Sequence, residues 1–157
     1  LKESPVPKRI LVIDDEPMVI KMATDALVAR GFDVTSAPNG YEGLIAARQL
    51  QPDLILLDVV MPDIDGHEVA RRLGKDEKTK NIPIIHLSAI GDFDQQLAAM
   101  DGGLTDYITK PIKSADLADR VEAFLDPKQR EKAGREAHQR AGKLRAIVDI
   151  MHRDHDA

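Results

Sequence analysis

Two stretches, Ile10-Leu11-Val12-Ile13-Asp14-Asp15 and Leu54-Ile55-Leu56-Leu57-Asp58, decide the reading of this chain. Each is an apolar run of four residues that ends abruptly in carboxylates. A run that is apolar at every position, not at alternate ones, suits a strand covered on both faces, and such strands belong to parallel sheets. Two further stretches have a related form: Ile84-Ile85-His86-Leu87 runs into Ser88, and Tyr107-Ile108-Thr109 runs into Lys110-Pro111. Working outward, strands are expected at about 9–13, 33–36, 53–57, 83–87 and 106–109. Amphipathic helices are expected at about 17–30, 41–50, 66–74, 92–100 and 114–125. Pro17 opens the first helix, Gly31 caps its end, Asn39-Gly40 turns into the second, and Ser114 is placed as the N-cap of the last. Regular alternation of strand and helix gives an α/β, doubly wound parallel sheet, because the crossovers are right-handed. Five strands in this length fit the order 2-1-3-4-5.

The chain has 157 residues, enough for one domain and an appendage but not for two full domains. It divides into an N-terminal tail at 1–7, a body at 8–126 and a helical extension at 127–157 that follows Asp126-Pro127. No cysteine is present, which excludes disulfides and thiolate chemistry. No apolar run approaches the length of a membrane span, and the first residues do not form a signal peptide, so a cytoplasmic location and no membrane contact are expected. The first residue is Leu, not Met, which points to a piece of a longer protein.

The net charge of −5 is unevenly spread: eight basic against five acidic residues in the extension leave the body at −8. Such a distribution does not suit direct nucleic-acid binding. In the extension, Ala137, Ala141, Leu144, Val148 and Met151 step by four and three, as in an a/d seam of a short coiled coil spanning about 130–152. The same pattern also reads as a helix that packs back on its own domain.

Ligands of open α/β sheets bind beyond the carboxyl ends of the strands, and that edge receives Asp14, Asp15, Asp58, Ser88 and Lys110. Three carboxylates in one pocket repel one another unless a cation neutralises them, and Mg²⁺ takes oxygen ligands. A carboxylate there is a nucleophile toward phosphorus, and Lys110 and the Ser88 hydroxyl are placed to hold the phosphoryl oxygens. The histidines are read more plainly. His86 is a core residue, His67 a solvated one, and His138 lacks the surroundings of a phosphodonor. His152 and His155 have a metal-binding spacing but stand at the chain end.

As a set these motifs resemble the receiver domain of response regulators in two-component signalling, over roughly 8–126, with a flavodoxin-like sheet. Asp14-Asp15-Glu16-Pro17 resembles its acidic pair, Leu57-Asp58 to Gly66 its phosphoacceptor loop, Leu87-Ser88-Ala89 its switch segment and Thr109-Lys110-Pro111 its lysine with a cis-proline. Tyr107 matches the switch aromatic. The resemblance implies that Asp58 is phosphorylated and that Asp15, Asp58 and the backbone carbonyl of Val60 hold Mg²⁺, with Asp14 acting through water. It also implies a histidine kinase or phosphotransfer partner, and output through residues 92–125. That output would go to a downstream protein, an attached effector or a homodimer. Val60 and Ile90 are apolar where the family's hydrolytic water passes. A phospho-aspartate phosphatase of the haloacid-dehalogenase type is the enzyme alternative, but Val60 stands where it needs a second aspartate, so no turnover enzyme is expected. A constitutive scaffold is the remaining alternative.

Overall fold

The computed structural model describes residues 6–89, 105–126 and 128–156. Five strands are present: β1 (Arg9–Ile13), β2 (Asp33–Ala37), β3 (Leu54–Asp58), β4 (Ile84–Ser88) and β5 (Thr105–Thr109). All pair in parallel, in the order β2-β1-β3-β4-β5. The helices are α1 (Pro17–Val28), α2 (Gly40–Leu50), α3 (Gly66–Lys75), α4 (Ser114–Leu125) and α5 (Arg130–Asp156). The helix expected at 92–100 lies outside the described residues.

β3 and β4 each start and end one residue later than expected, so Asp58 and Ser88 are the last residues of strands and not the first of loops. The helix starts follow local chemistry. Asn39 and Asp65 cap α2 and α3 by accepting the backbone N–H of Glu42 and Glu68. Pro17 opens α1 without a side-chain cap. Ser114 is not the N-cap of α4: Lys113 holds that position with extended backbone, and Ser114 is the first helical residue. Gly31 has φ +89°, the left-handed conformation that lets the chain turn from α1 toward β2.

The sheet separates two apolar layers. Ile10, Val12, Leu54, Leu56, Ile85, Leu87 and Ile108 face α1 and α4. Leu11, Ile13, Ile55, Leu57 and Ile84 face α2 and α3. β1 and β3 are therefore buried on both faces, the reason their sequences are apolar at every position. α5 returns along α4, and its Ala133 and Ala137 join the first layer. The extension thus packs on its own domain. Of the expected seam, Ala137, Leu144 and Val148 are buried within this chain, whereas Met151 is 39 % exposed.

Candidate functional site

β1 and β3 are adjacent and parallel, so Asp14, the residue after β1, and Asp58, the last of β3, emerge side by side. Both carboxylates are removed from solvent, at 0 % and 4 % exposure. Ser88 ends β4 and is likewise buried. Its carbonyl accepts the Lys110 backbone N–H at 2.6 Å, which brings β5 and its lysine to the same edge. The Lys110–Pro111 peptide bond is cis.

Lys110 Nζ lies 3.2 Å from Asp14 Oδ2, 3.5 Å from Asp58 Oδ1 and 2.8 Å from Glu16 Oε1. One cation therefore faces three acids, and Asp15 makes a fourth: carboxylate oxygens of Asp14, Asp15, Glu16 and Asp58 all lie within 4.8 Å of one another. Among the described residues this is the one such acidic or histidine group large enough to hold a metal ion. Asp14 Oδ1 accepts the Glu16 backbone N–H at 2.9 Å. Its Oδ2 is buried and, although near Lys110, has no properly directed hydrogen bond. Asp58 Oδ1 accepts the Val60 backbone N–H at 3.2 Å.

These surroundings shift the acids upward. Burial raises the Asp58 pKa, the neighbouring Asp14 charge adds to it, and Lys110 and the Val60 N–H oppose it; the result is about 7. Asp14 is raised as well, chiefly by burial. Burial works against the Lys110 charge, but the hydrogen-bonded Glu16 and the Asp14 and Asp58 carboxylates hold its pKa above the ordinary lysine value.

Gly66 shapes the loop behind the acids. Its N–H donates to the Val59 carbonyl at 2.7 Å, and a Cβ at this position would come 2.2 Å from the Asp58 carbonyl oxygen. Only glycine lets α3 start so close to the end of β3. Asp63 secures the other side of the loop by accepting the N–H groups of Gly40 and Tyr41.

The sequence-derived site residues divide as follows. Asp14, Asp15, Asp58 and Lys110 are brought together, and Ser88 joins their edge through its backbone contact with Lys110. Tyr107 is half-buried in β5, one residue beyond Asp106, and its carbonyl accepts a short hydrogen bond from Arg120. Val60 is 64 % exposed beside the acids, and Ile90 lies outside the described residues. Glu16 is the residue that the reading of the sequence passed over. Its place one turn-residue after the acidic pair was the available signal, but only the fold shows that it meets Lys110.

His67 is partly buried and not fully solvated as expected. Its Nε2 is buried without a partner, and its ring stacks on His86 at 5.7 Å. His86 is a core residue, with its pKa lowered to about 4 by burial and by His67. His138 and His152 are exposed, and the His155 side chain lies outside the described set.

A five-stranded 2-1-3-4-5 sheet with an acidic pocket and a lysine at its carboxyl edge defines a class of α/β signalling domain. Residues 10–122 match the model of the response regulator receiver domain, and the chain belongs to that family. Phosphorylation-dependent switching in two-component systems is the family's general role. Over 117 residues the chain is 42 % identical to the DNA-binding dual master transcriptional regulator RpaA of a Synechocystis species, covering 74 % of this chain and 48 % of the relative. It is 41 % identical over 120 residues to the phosphate regulon transcriptional regulatory protein PhoB of Pseudomonas aeruginosa, covering 76 % of this chain and 52 % of that protein. The chain therefore spans about half the length of the curated relatives it matches. Among solved structures, a CheY-like receiver domain protein from Methanospirillum hungatei JF-1 superposes with a TM-score of 0.72 at 25 % identity, covering 80 % of this chain and 99 % of that one. Among the described residues no helix is long and apolar enough to cross a membrane.

Proposed function

We propose that this chain is a phosphorylation switch in which Asp58 accepts a phosphoryl group from a histidine kinase or a phosphotransfer protein. The observation that carries this reading is the imbalance at the sheet edge: four converging carboxylates face one lysine, and a buried Asp14 oxygen lacks a directed partner. All the donors are hard oxygens, which fits Mg²⁺ better than a softer metal. Asp14, Asp15, Asp58 and the Val60 carbonyl would hold the ion, which when bound supplies charge neutralisation and a clamp for phosphoryl oxygens.

The remaining chemistry belongs to the side chains. An ionised Asp58 oxygen forms the new bond to phosphorus, the bond to the donor's leaving atom breaks, and the leaving atom keeps the electron pair. No proton needs to move on the receiver side. Lys110 stands 3.5 Å from the accepting carboxylate, placed to take the transferred charge once the phosphoryl group competes with Glu16 for it. Ser88 and Tyr107 are the residues that respond to the new charge, through the face that carries β5 and α4. Turnover is limited to self-catalysed acceptance and slow loss of the group, so the chain is not an enzyme in the ordinary sense. Signal leaves through a downstream protein or an effector beyond this chain, in the cytoplasm, without direct nucleic-acid contact by the receiver itself. Homodimerisation through residues 92–125 or the 130–152 helix belongs to the same reading.

Intact mass after incubation with Mg²⁺ and acetyl phosphate tests the proposal. One added phosphoryl group is expected, absent without Mg²⁺ and absent in Asp58→Asn. A chain that takes up no phosphoryl group and also binds no beryllofluoride would instead be the constitutive scaffold. Continuous phosphate release from small phosphomonoesters would indicate the phosphatase.

A further inference from the structure

Behind Asp58, the face of the sheet that meets α3 carries two imidazoles that the switch chemistry leaves unused. His86 of β4 is 1 % exposed, and its ring stacks on that of His67 in the first turn of α3, inclined by 27°. His67 follows Gly66, the residue that lets α3 start against the end of β3. His86 Nδ1 and His67 Nε2 are both buried without a hydrogen-bond partner. A buried polar atom that makes no bond weakens a fold, and two apolar side chains of similar size would pack here at less cost. Packing alone therefore does not account for a pair of imidazoles at this place.

The register supplies a partner. His86 pairs with Leu57, the residue before Asp58, on one side and with Tyr107 on the other. Paired residues of a sheet point to the same face, and successive residues of a strand to opposite faces. Ile108 faces α1 and α4, so Tyr107 stands on the His86 side, one strand spacing of about 4.8 Å away. The hydrogen bonds of Tyr107 are made by its backbone: the N–H donates to Asp106 Oδ1 at 2.8 Å, and the carbonyl accepts from Arg120. Its hydroxyl makes none among the described residues. A phenol hydroxyl both donates and accepts, so it can answer a neutral imidazole in either tautomer. His86 is neutral at pH 7, because burial and His67 hold its pKa at about 4.

We propose that His86, with His67 stacked on it, is a further switch residue: when Asp58 carries a phosphoryl group, the Tyr107 hydroxyl turns to His86 Nδ1 and makes the hydrogen bond that the resting state lacks. The assignment rests on the reading of Asp58 as the acceptor. It gives the charged state a contact absent from the uncharged one, which a conformational equilibrium needs if it is to shift. His67 is the positioning residue, since its stacked ring fixes the plane of the His86 imidazole from the helix that starts behind the phosphoacceptor loop.

Beryllofluoride with Mg²⁺ stands in for the phosphoryl group on the whole chain, and its affinity is measured for the parent, His86→Leu, Tyr107→Phe and the double variant. Each single change should weaken binding about fivefold, and the double variant should bind no more weakly than either, because the same bond is lost in all three. A nitrogen resonance of the His86 ring gives a readout that mere loosening of the core would not. In the parent the Nδ1 signal should shift when beryllofluoride is added, and in Tyr107→Phe that shift should disappear. Additive losses, an unmoved Nδ1 signal in the parent, or an equal shift in Tyr107→Phe would overturn the proposal and leave Asp58 as the acceptor. A parent that binds no beryllofluoride would overturn the acceptor reading and this assignment with it.

Discussion

Two buried aspartate sites, one at the carboxyl edge of the sheet and one within β5, show how differently one fold treats the same side chain. At the carboxyl edge, Asp14 and Asp58 are packed with two further acids around one lysine, and burial lifts the Asp58 pKa to about 7. At the flank, Asp106 is as inaccessible as Asp14, yet a bidentate arginine answers it and a second arginine stands nearby. A carboxylate that is paired and hydrogen-bonded in low dielectric serves structure. One that is crowded with like charge is poised for a cation or a transferred group. The difference is in the partners and not in depth.

The largest stability effect should come from breaking the satisfied site. Asp106→Ala leaves two arginines facing a buried void and is expected to cost about 3–5 kcal/mol in urea unfolding. If it costs no more than an exposed substitution, the flank is not a buried ion pair in solution and the contrast fails.

At the crowded site the sign should invert. The folded Asp58 binds its proton more tightly than the unfolded one, whose pKa is near 3.8, so the parent loses stability as pH rises from about 4 to about 7. Asp58→Asn removes that loss. Without Mg²⁺ it should be more stable than the parent by on the order of 2 kcal/mol at pH 8 and equal to it near pH 4. Added Mg²⁺ should narrow the gap by stabilising the parent alone. A parent that is more stable than Asp58→Asn in metal-free buffer at pH 8 would show that the acids are not crowded.

His86 supplies the opposite slope from the neighbouring register position, since it pairs with Leu57, the residue before Asp58. Its folded pKa of about 4 lies below the ordinary 6.5, so its contribution is present above pH 6.5 and is lost as pH falls toward 4. His86→Leu should flatten that acid-side loss, by on the order of 1–2 kcal/mol at pH 4.5, in thermal or urea melts. An unaltered acid limb in the variant would place the loss elsewhere.

The smallest effect belongs to Glu16, which is largely exposed and only shares Lys110. Glu16→Gln should leave the phosphoryl adduct intact and change its initial rate of formation by a factor of about 2–5. Abolished uptake would make it a member of the reacting group and not a competitor for the lysine.

The strand pattern was legible because β1 and β3 are buried on both faces, and such burial leaves no polar position to confuse the period. The chemistry at the edge was legible because strand order alone delivers the residues that end parallel strands to one place. Ser114 misled, since a serine before a helix is a common cap, whereas here the chain enters one residue earlier and Lys113 takes the position. The surface histidine assigned at 67 proved to be stacked on His86, a contact between α3 and β4 that no local pattern encodes.

The extension shows the same limit. Its apolar spacing pointed to a helix over about 130–152 with one apolar side, but spacing does not say what that side meets. The tertiary structure decided it: Ala133 and Ala137 close on the domain's own layer, and Arg140 reaches Asp106 across 34 positions of sequence. Sequence by itself determined the sheet, its order and the residues at its carboxyl edge, because periodicity and strand ends are local facts. Glu16 beside Lys110, the histidine stack and the occupied flank were left to tertiary structure, because each is a pairing of distant groups whose energy depends on burial, and burial exists only once the chain has folded.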